Sequence, residues 1–377
     1  MGFSTKDIRN VTIAGHGQTG KTTLLEHLLF VSGVIPKPET TDSGKTVSDY
    51  SAEEIERKIS VYASLSHIER NGKLINFWDT PGSADFVGEV ISAFRSSEAA
   101  TMLIDGRNGV QIETVKLWRD LDRRNKPRMI FINHTEDERT DVAAIAKDVH
   151  DKFAVEVCQV TIPMNKSGKF EGVIDVLNGK AYFVPENGKI EVASEVPSEY
   201  QDEYKTALGV LTGSAAEGDD DLLVKFIDEG ELTSEEIAYG LKIALKNNRI
   251  IPAFCADVTA NSGLVPYLDF VAEIAPSPEE AIETAKNQDD EIVSVLVASS
   301  DVMSALVVKT ASDQFSGKLS YIKVVNGTLN ADTEYWNIQD GRKEKIGKIY
   351  RTVGKKLVEL KSACAGDICV AAKLSGV

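Results

Sequence analysis

Residues 15–22, Gly-His-Gly-Gln-Thr-Gly-Lys-Thr, fit the pattern G-x-x-x-x-G-K-[ST] and stand between two different kinds of sequence. The apolar run 11–14 before them is typical of a buried strand, and residues 22–31 after them carry apolar side chains at helical spacing. In a strand–loop–helix setting, the glycines let successive backbone N–H groups turn toward one anion, and the helix start adds its positive dipole end. The chain is therefore predicted to bind a nucleoside triphosphate on the loop after an early strand.

Each residue of this loop is a candidate phosphate contact. We expect Lys21 to reach the β- and γ-phosphates and the Thr22 hydroxyl to coordinate Mg²⁺. The candidates are Gly15, His16, Gly17, Gln18, Thr19, Gly20, Lys21 and Thr22. The alternative, a glycine-rich turn that binds nothing, is disfavoured by the strand and helix on either side.

Strands and helices alternate from residue 10 to about 155. Apolar runs typical of strands lie at 11–14, 74–78, 100–104 and 129–132, and helical patterns lie at 22–31, 86–94, 114–124 and 142–153. Such alternation predicts an α/β domain with a mostly parallel sheet covered by helices on both faces. One further strand–helix unit, at 250–255 and 265–274, indicates that a long insertion interrupts the sheet domain.

The insertion and the region after it have patterns of their own. The insertion begins with short strands and turns, one of them at 187–188, and continues into acidic helices at 199–211, 221–229 and 234–246. After Pro276-Ser277-Pro278 and a polar stretch at 279–291, only strand patterns follow, at 292–298, 305–310, 317–325, 333–338, 344–350, 355–360 and 367–372. Strands at this spacing predict a small antiparallel β-barrel. The predicted domains are 1–157 and 249–278 (sheet domain), 158–248 (inserted α+β subdomain) and 279–377 (barrel).

Composition narrows the class of protein. With 42% hydrophobic and 27% charged residues and no long apolar run, the chain is expected to be soluble and free of membrane contact. Its four scattered cysteines suggest neither disulfides nor zinc, so we expect it in the reducing cytoplasm. The net charge of −16 argues against DNA binding or nonspecific coating of nucleic acid. Two basic clusters, at 119–128 and 342–356, are interpreted as solvated faces.

A second motif decides among the users of phosphate loops. Residues 76–82, Asn-Phe-Trp-Asp-Thr-Pro-Gly, come at the end of an apolar strand. Asp79 is placed to hold Mg²⁺ through water, and the Gly82 N–H to meet the γ-phosphate. Simple turn chemistry is the alternative, but D-T-P-G after a phosphate loop is typical of the regulatory GTPases.

Several segments resemble bacterial elongation factor G. Residues 54–61, Glu-Ile-Glu-Arg-Lys-Ile-Ser-Val, resemble the first switch of that family, E-x-E-R-G-I-T-I, and the family's D-F pair is found at 85–86. Further similar stretches are residues 170–175, 230–237 and 313–320. The resemblance spans essentially the whole chain. It implies the GTPase domain, inserted subdomain and barrel of that family, GTP or GDP with Mg²⁺ as ligands, and the ribosome, both its RNA and its proteins, as partner of a monomer.

The resemblance also carries roles to single positions. It places Thr23 near the α-phosphate and Ser60, in place of the switch threonine, on Mg²⁺ and the γ-phosphate. Lys21, Ser60, Gly82 and Ser83 form the catalytic set that it implies, and Thr22, Ser60 and Asp79 the metal ligands. Ser83 replaces the histidine that positions the attacking water, so we expect slow hydrolysis. Lys58 replaces a glycine, which removes a φ-permissive residue from the loop.

The base-reading motif has changed most. The family pattern N-K-x-D is here Asn133-His134-Thr135-Glu136. The resemblance implies base contacts from Asn133, His134 and Glu136, and a backbone N–H from Cys255 or Ala256 to the guanine O6. A loop that no longer reads guanine is the alternative. With Gln18 where the main translation factors carry aspartate, the chain looks like a divergent paralogue.

Three functions remain for comparison. The leading one is a translational GTPase that hydrolyses GTP on the ribosome, with segments 32–61 and 79–96 ordered by the γ-phosphate. The second is a ribosome-binding regulator or ribosome-protection paralogue with weak or absent hydrolysis. An ATPase or kinase is disfavoured by D-T-P-G and the barrel. The choice among translocation, drug protection and recycling depends partly on C-terminal domains that we expect to lie beyond this fragment.

Overall fold

A computed structural model describes residues 2–184, 190–286, 289–298, 302–313, 317–374 and 376. The predicted turn at 187–188 lies outside the described residues, as do residues 314–316 of the segment that resembles elongation factor G. Within the described part of the chain, no helix has the length and apolar character needed to cross a bilayer.

The predicted α-helices are present in the predicted order, and one further helix, Ala52–Arg57, was not predicted. They are α1 (Lys21–Val31), α2 (Ala52–Arg57), α3 (Val87–Ser96), α4 (Ile112–Arg123), α5 (Val142–Phe153), α6 (Gln201–Ala216), α7 (Asp220–Glu229), α8 (Ser234–Lys246) and α9 (Leu264–Glu273). The start of α8 shows why sequence signals succeed here. Thr233 accepts a hydrogen bond from the Glu236 N–H, and the Glu236 carboxylate accepts one from the Thr233 N–H, which is a capping box.

The strands of the first two thirds of the chain are β1 (Ile8–Gly15), β2 (Ser64–Arg70), β3 (Lys73–Asp79), β4 (Ala99–Asp105), β5 (Arg128–Asn133), β6 (Glu156–Gln159), β7 (Thr161–Lys166), β8 (Lys169–Asp175), β9 (Lys180–Phe183), β10 (Glu191–Ala193) and β11 (Ile250–Ala256). Those of the C-terminal region are β12 (Ile282–Lys286), β13 (Ile292–Leu296), β14 (Ser304–Asp313), β15 (Gly317–Asn326), β16 (Thr328–Asn330), β17 (Thr333–Asn337), β18 (Arg342–Ile346), β19 (Ile349–Val353), β20 (Lys356–Leu360), β21 (Ser362–Cys364) and β22 (Ile368–Ala372).

The predicted α/β sheet is confirmed. Its strand order is β2-β3-β1-β4-β5-β11-β6, and only β2 in this series runs antiparallel to its neighbour. Helices α1 and α9 pack on one face, with Leu25 and Tyr267 buried there, and α3, α4 and α5 cover the other, with Phe94 and Trp118 buried. The carboxyl ends of the parallel strands meet at one edge, which is where ligands bind in such sheets.

The inserted segment forms its own small sheet, with the order β10-β9-β8-β7. Its helices α7 and α8 pack on α6, and α6 and α8 also contact β6 and β11 of the main sheet, respectively. The C-terminal region is antiparallel, as predicted, with the order β14-β15-β22-β19 and β20 beside β19. This region joins the edge of the first sheet, because Val353 of β19 pairs with Ser66 of β2.

Three expectations need correction. The predicted strand 344–350 is divided between β18 and β19. The stretch 279–291, expected to be polar and without a strand, contains β12, which pairs with β13 in a hairpin. Strand β2 was not predicted, because its sequence, Ser-Leu-Ser-His-Ile-Glu-Arg, is short and mostly polar, and its two apolar residues do not alternate with polar ones.

The two basic clusters mostly form ion pairs. In the second cluster, each of four basic side chains faces a carboxylate across a hairpin or turn: Arg342 with Asp340, Lys343 with Glu334, Lys345 with Asp332, and Lys348 with Glu359. In the first, Arg123 and Arg128 pair with Asp120 and Asp122. The four side chains of the second cluster are 58–71% exposed, in agreement with the interpretation of a solvated face. In the first cluster Arg128 is only 4% exposed, so the interpretation is wrong for that residue.

Candidate functional site

Loops at the carboxyl ends of β1, β3 and β5 surround a cavity of about 770 Å³. Twelve of the predicted site residues line it: His16, Gly17, Gln18, Gly20, Lys21, Thr22, Thr23, Ser60, Gly82, Ser83, Asn133 and His134. Residues from distant parts of the sequence therefore meet at the sheet edge where the parallel strands end.

Lys21 is the buried cation of this cavity. The residue is only 6% exposed, and its Nζ donates hydrogen bonds to the carbonyl oxygens of Gly15 at 3.0 Å and His16 at 2.7 Å. Burial lowers the pKa of Lys21 to about 8, against the opposing charges of Asp79 and Asp49. The loop carbonyls thus hold an ammonium group beside the start of α1, where the helix dipole also favours an anion.

The D-T-P-G turn lies directly over the phosphate loop. A Cβ added to Gly82 would lie 2.5 Å from Lys21 Nζ and 2.7 Å from Gly17 Cα, so no larger residue fits without movement. The Thr80 hydroxyl fixes the turn by donating to the Ile13 carbonyl at 2.7 Å. The backbone at Gly82 is therefore held against the position where the phosphate loop would place a terminal phosphate.

Oxygen atoms converge beside Lys21. Thr22 Oγ1 donates to Asp79 Oδ2 at 2.7 Å and lies 3.2 Å from Ser60 Oγ. Asp79 and Asp49 are 1% and 5% exposed, yet Oδ1 of Asp79 and both carboxylate oxygens of Asp49 have no hydrogen-bond partner among the described residues. Buried carboxylate oxygens without partners are costly, and hydroxyl and carboxylate oxygens are the ligands Mg²⁺ prefers. These residues fit a magnesium ion.

The pKa shifts of Asp79 and Asp49 also indicate a place for a cation. Burial raises the pKa of Asp79, although the hydrogen bond from Thr22 and the charge of Lys21 oppose the shift. Burial, followed by the charge of Asp79, raises the pKa of Asp49. A bound cation would favour the ionised form of both carboxyls.

Sequence reasoning missed Asp49. It belongs to no recognised motif and stands in a serine- and threonine-rich segment just before α2. Other unpredicted residues also line the cavity: Thr41, Lys58, Ile59, Ala84, Arg107, Glu113 and Thr259. Arg107 had a usable signal, because it follows the carboxyl end of β4 and such ends meet at the site.

The predicted base loop begins where β5 ends. Asn133 Nδ2 donates to the Thr19 carbonyl at 3.1 Å, which ties this loop to the phosphate loop. His134 has a φ of +63°, and its Nδ1 lies 3.3 Å from Glu136 Oε1. Glu136 is 38% exposed in its side chain and lies outside the cavity lining. The carboxylate expected to read the base therefore faces its neighbouring imidazole.

One predicted base contact is wrong. The Cys255 N–H already donates to Thr161 Oγ1 at 2.7 Å, and Cys255 is fully buried within β11. It has no N–H left for a guanine oxygen. Ala256 stays a prediction, and its carbonyl anchors the base loop by accepting hydrogen bonds from the N–H and hydroxyl of Thr135.

Ser83 occupies the start of the short helix Ala84–Phe86. Its Oγ accepts a hydrogen bond from the Asp85 N–H at 3.4 Å and donates one to Asp85 Oδ2 at 3.4 Å. The hydroxyl therefore caps a turn at the edge of the cavity, and it reaches less far into the cavity than an imidazole would.

A second groove, of about 1010 Å³, lies between α5, β7 and α6. Its described lining combines apolar side chains with the carboxylates of Glu138, Asp141, Asp202 and Glu203, and includes no Lys, Arg or His. Such a lining repels phosphate, so the smaller cavity at the phosphate loop, and not this groove, is the candidate nucleotide site.

Comparison with known proteins agrees with this geometry. A family model described as the elongation factor Tu GTP binding domain matches residues 6–312, and one described as elongation factor G domain 2 matches residues 302–377. Among solved structures, a crystal structure of a Thermus thermophilus protein is similar, with a TM-score of 0.86 and 27% sequence identity. The match covers 99% of this chain and 53% of that one, so this chain spans about half the length of that protein.

Proposed function

This chain belongs to the family of the elongation factor Tu GTP binding domain, and on that premise we propose that it is an elongation factor G-like protein that hydrolyses GTP on the ribosome. The observation that carries the proposal is the cavity lined by Lys21, Gly82, Thr22 and Ser60, with Asp79 hydrogen-bonded to Thr22. The match to elongation factor G domain 2 supports the ribosomal assignment over other GTPase classes.

Each residue has a proposed task. Lys21 exchanges its loop carbonyls for the β- and γ-phosphate oxygens, and the Gly82 N–H binds the γ-phosphate. Thr22, Ser60 and Asp79 would hold Mg²⁺, and Asp49 lines the same cavity. The bound ion would neutralise charge on the transferred phosphoryl group. Ser83 hydrogen-bonds the attacking water, a weaker positioning device than an imidazole.

We test this proposal by calorimetric titration with GDP, the slowly hydrolysed analogue GTPγS, and ATP, each with Mg²⁺. We expect both guanine nucleotides to bind and ATP to bind more weakly. Phosphate release from GTP should accelerate when ribosomes are added. A protein that binds neither guanine nucleotide, or that ignores ribosomes, contradicts the proposal.

A second candidate is a ribosome-binding regulator, or ribosome-protection paralogue, that holds GTP but hydrolyses it weakly or not at all. The geometry of Ser83, whose hydroxyl caps its own turn, favours it. Ser83→His should raise ribosome-stimulated phosphate release if water positioning was the lost function. Unchanged release would favour the regulator.

The remaining assignments are also proposals. We propose a divergent protein that acts as a monomer and contacts ribosomal RNA and proteins, with domains at 1–157 plus 249–278, 158–248 and 279–377. The separate sheet β7–β10 inside the second range supports that division. Limited proteolysis, with cleavage sites mapped by mass spectrometry, tests the boundaries.

A further inference from the structure

The backbone directly after Ser60 is held by two carboxylates. Three consecutive residues donate their N–H groups: Val61 and Tyr62 to Glu54 Oε1, each at 3.1 Å, and Ala63 to Glu89 Oε2 at 2.7 Å. Hydrogen bonds to a charged acceptor are roughly twice as strong as those between neutral groups. The position of the Ser60 hydroxyl beside Thr22 therefore depends on these two side chains.

The two carboxylates belong to different parts of the site. Glu54 is 2% exposed and also accepts the Ser51 N–H at 3.0 Å, so it is anchored within the same switch segment. Glu89 lies on α3, the helix that follows the Gly82 turn. It links the end of the first switch segment to the second.

A lysine of the C-terminal region completes the arrangement. Lys309, on β14, donates from Nζ to the Glu89 carboxylate and to the Ala63 carbonyl, the latter at 2.7 Å. Its side chain is 6% exposed, and its Nζ lies 5.5 Å from the centre of the Tyr62 ring. A buried ammonium that loses such partners leaves an uncompensated charge, so the three groups favour one geometry.

We propose that Lys309 and Glu89, called the barrel clamp below, are positioning residues through which docking of the C-terminal region sets the Ser60 hydroxyl for nucleoside triphosphate. The inference rests on the proposed function, because only a triphosphate offers the γ-phosphate oxygen that Ser60 would sense. Linkage requires the reverse as well: triphosphate binding tightens the contact between α3 and β14.

Lys323 provides a matched control. It also lies on the C-terminal region, on β15, is 1% exposed, and pairs with a carboxylate of the sheet domain, Glu98. It also donates to the Ser96 carbonyl at 3.0 Å, near the C-terminal end of α3, and lies 3.7 Å from a carboxylate oxygen of Glu283. Lys323 thus shares the burial and the ion pairing of Lys309, but the contacts of its ammonium group among the described residues do not include residues 60–63.

The test measures the affinities of GTPγS and GDP by calorimetry, with Mg²⁺, for the full chain and for Lys309→Met, Glu89→Gln and Lys323→Met. Lys309→Met and Glu89→Gln should each weaken GTPγS binding about tenfold, within the range typical of coupled sites, and change GDP binding less than about twofold. The double variant should lose little more than either single variant, since both act through Ala63. Lys323→Met should leave the ratio of the two affinities unchanged.

Equal weakening of both nucleotides, an additive double variant, or the same loss of selectivity in Lys323→Met overturns the inference. If Lys309→Met does not fold, as judged by its melting temperature, Glu89→Gln carries the test, because it keeps the shape of the side chain. A parent chain that binds neither nucleotide refutes the proposed function instead. A parent chain that binds both, with variants of unchanged selectivity, refutes the clamp alone.

Discussion

The phosphate end of the site, formed by residues 15–23 with Asp79, differs in construction from the base end, where Asn133 and His134 line the cavity and Glu136 lies outside its lining. At the phosphate end the chemistry depends on backbone groups and on side chains that are almost fully buried, such as Lys21 and Asp79. At the base end the expected contacts come from Asn133, which is 2% exposed, and from His134 and Glu136, whose side chains are 24% and 38% exposed.

The difference bears on the departures at His134 and Glu136, although Gln18 of the phosphate loop departs from the family pattern as well. A change at Gly82 would collide with Lys21 and Gly17, so position 82 tolerates little variation. The backbone of the base loop is anchored through other residues, by Asn133 to Thr19 and by Thr135 to Ala256. His134 and Glu136 can therefore differ from the family without loss of the fold.

The largest effect is expected at the phosphate end. Lys21→Ala should weaken GTPγS and GDP binding by about 100-fold, because charge-assisted hydrogen bonds to phosphate contribute about 1.5–3 kcal/mol each. Calorimetry with both nucleotides measures the loss. Lys58→Ala is the control: Lys58 lines the same cavity, but its side chain is 57% exposed and pairs with Asp42, so about the parental affinity should remain. Equal losses in both variants would contradict a special role for Lys21.

The next effect concerns the metal. Asp79→Asn keeps the size of the side chain but removes the charge beside Thr22. We expect addition of Mg²⁺ to increase GDP affinity at least about tenfold in the parent chain, and to have little effect in the variant. Titrations with and without a chelator measure this. Asp85 is a nearby exposed carboxylate of the same turn, and Asp85→Asn should retain the full Mg²⁺ effect. If Asp79→Asn also retains the full effect, Asp79 does not bind the metal.

Whether a feature depends on neighbouring residues or on distant ones decides whether the sequence could predict it. The parallel sheet and the phosphate loop were predictable, because helical and strand periods alternate and the glycines and Lys21 are fixed by local backbone geometry. The capping box at Thr233 was similarly local. Buried strand ends were also informative, since the rule for parallel sheets places Asp79 and Asn133 at one edge.

Long-range contacts account for what was missed. Asp49 lines the cavity only because the segment before α2 folds back toward the phosphate loop, and nothing in its neighbouring residues signals this. The Cys255 N–H was one of two backbone donors that the resemblance implied for the base, and its partner in the structure, Thr161, comes from the inserted segment 94 positions away. The two residues of the barrel clamp, Lys309 and Glu89, are 220 positions apart, and their contact depends on how the C-terminal region docks.

A moderate effect is expected at the base end. Glu136→Ala should reduce the preference for GTP over ATP about fivefold, near the lower limit for a two-point contact to a base, because the carboxylate is partly exposed and faces His134. Competition between ATP and a fluorescent guanine nucleotide measures the preference. Glu138→Ala changes a carboxylate two residues away that lines the other groove, and should have no effect. If the preference is the same in all three proteins, the loop does not read guanine.

The smallest effect is expected at Lys58, on the rim between the two ends, where the chain has a side chain in left-handed backbone with φ +54° and ψ +37°. A non-glycine residue there costs roughly 1–2 kcal/mol, while glycine loses about 0.4–1 kcal/mol more backbone entropy on folding. Lys58→Gly should therefore raise the free energy of unfolding by about 0.5 kcal/mol, the ion pair with Asp42 being too exposed to offset this gain. Urea denaturation of the nucleotide-free chain measures it. Asn71, at φ +49°, tolerates this conformation as asparagine, so Asn71→Gly should give no gain. A gain in both variants would mean that left-handed strain is a general property of this fold, and a gain in Lys58→Gly alone would locate it at the rim of the cavity.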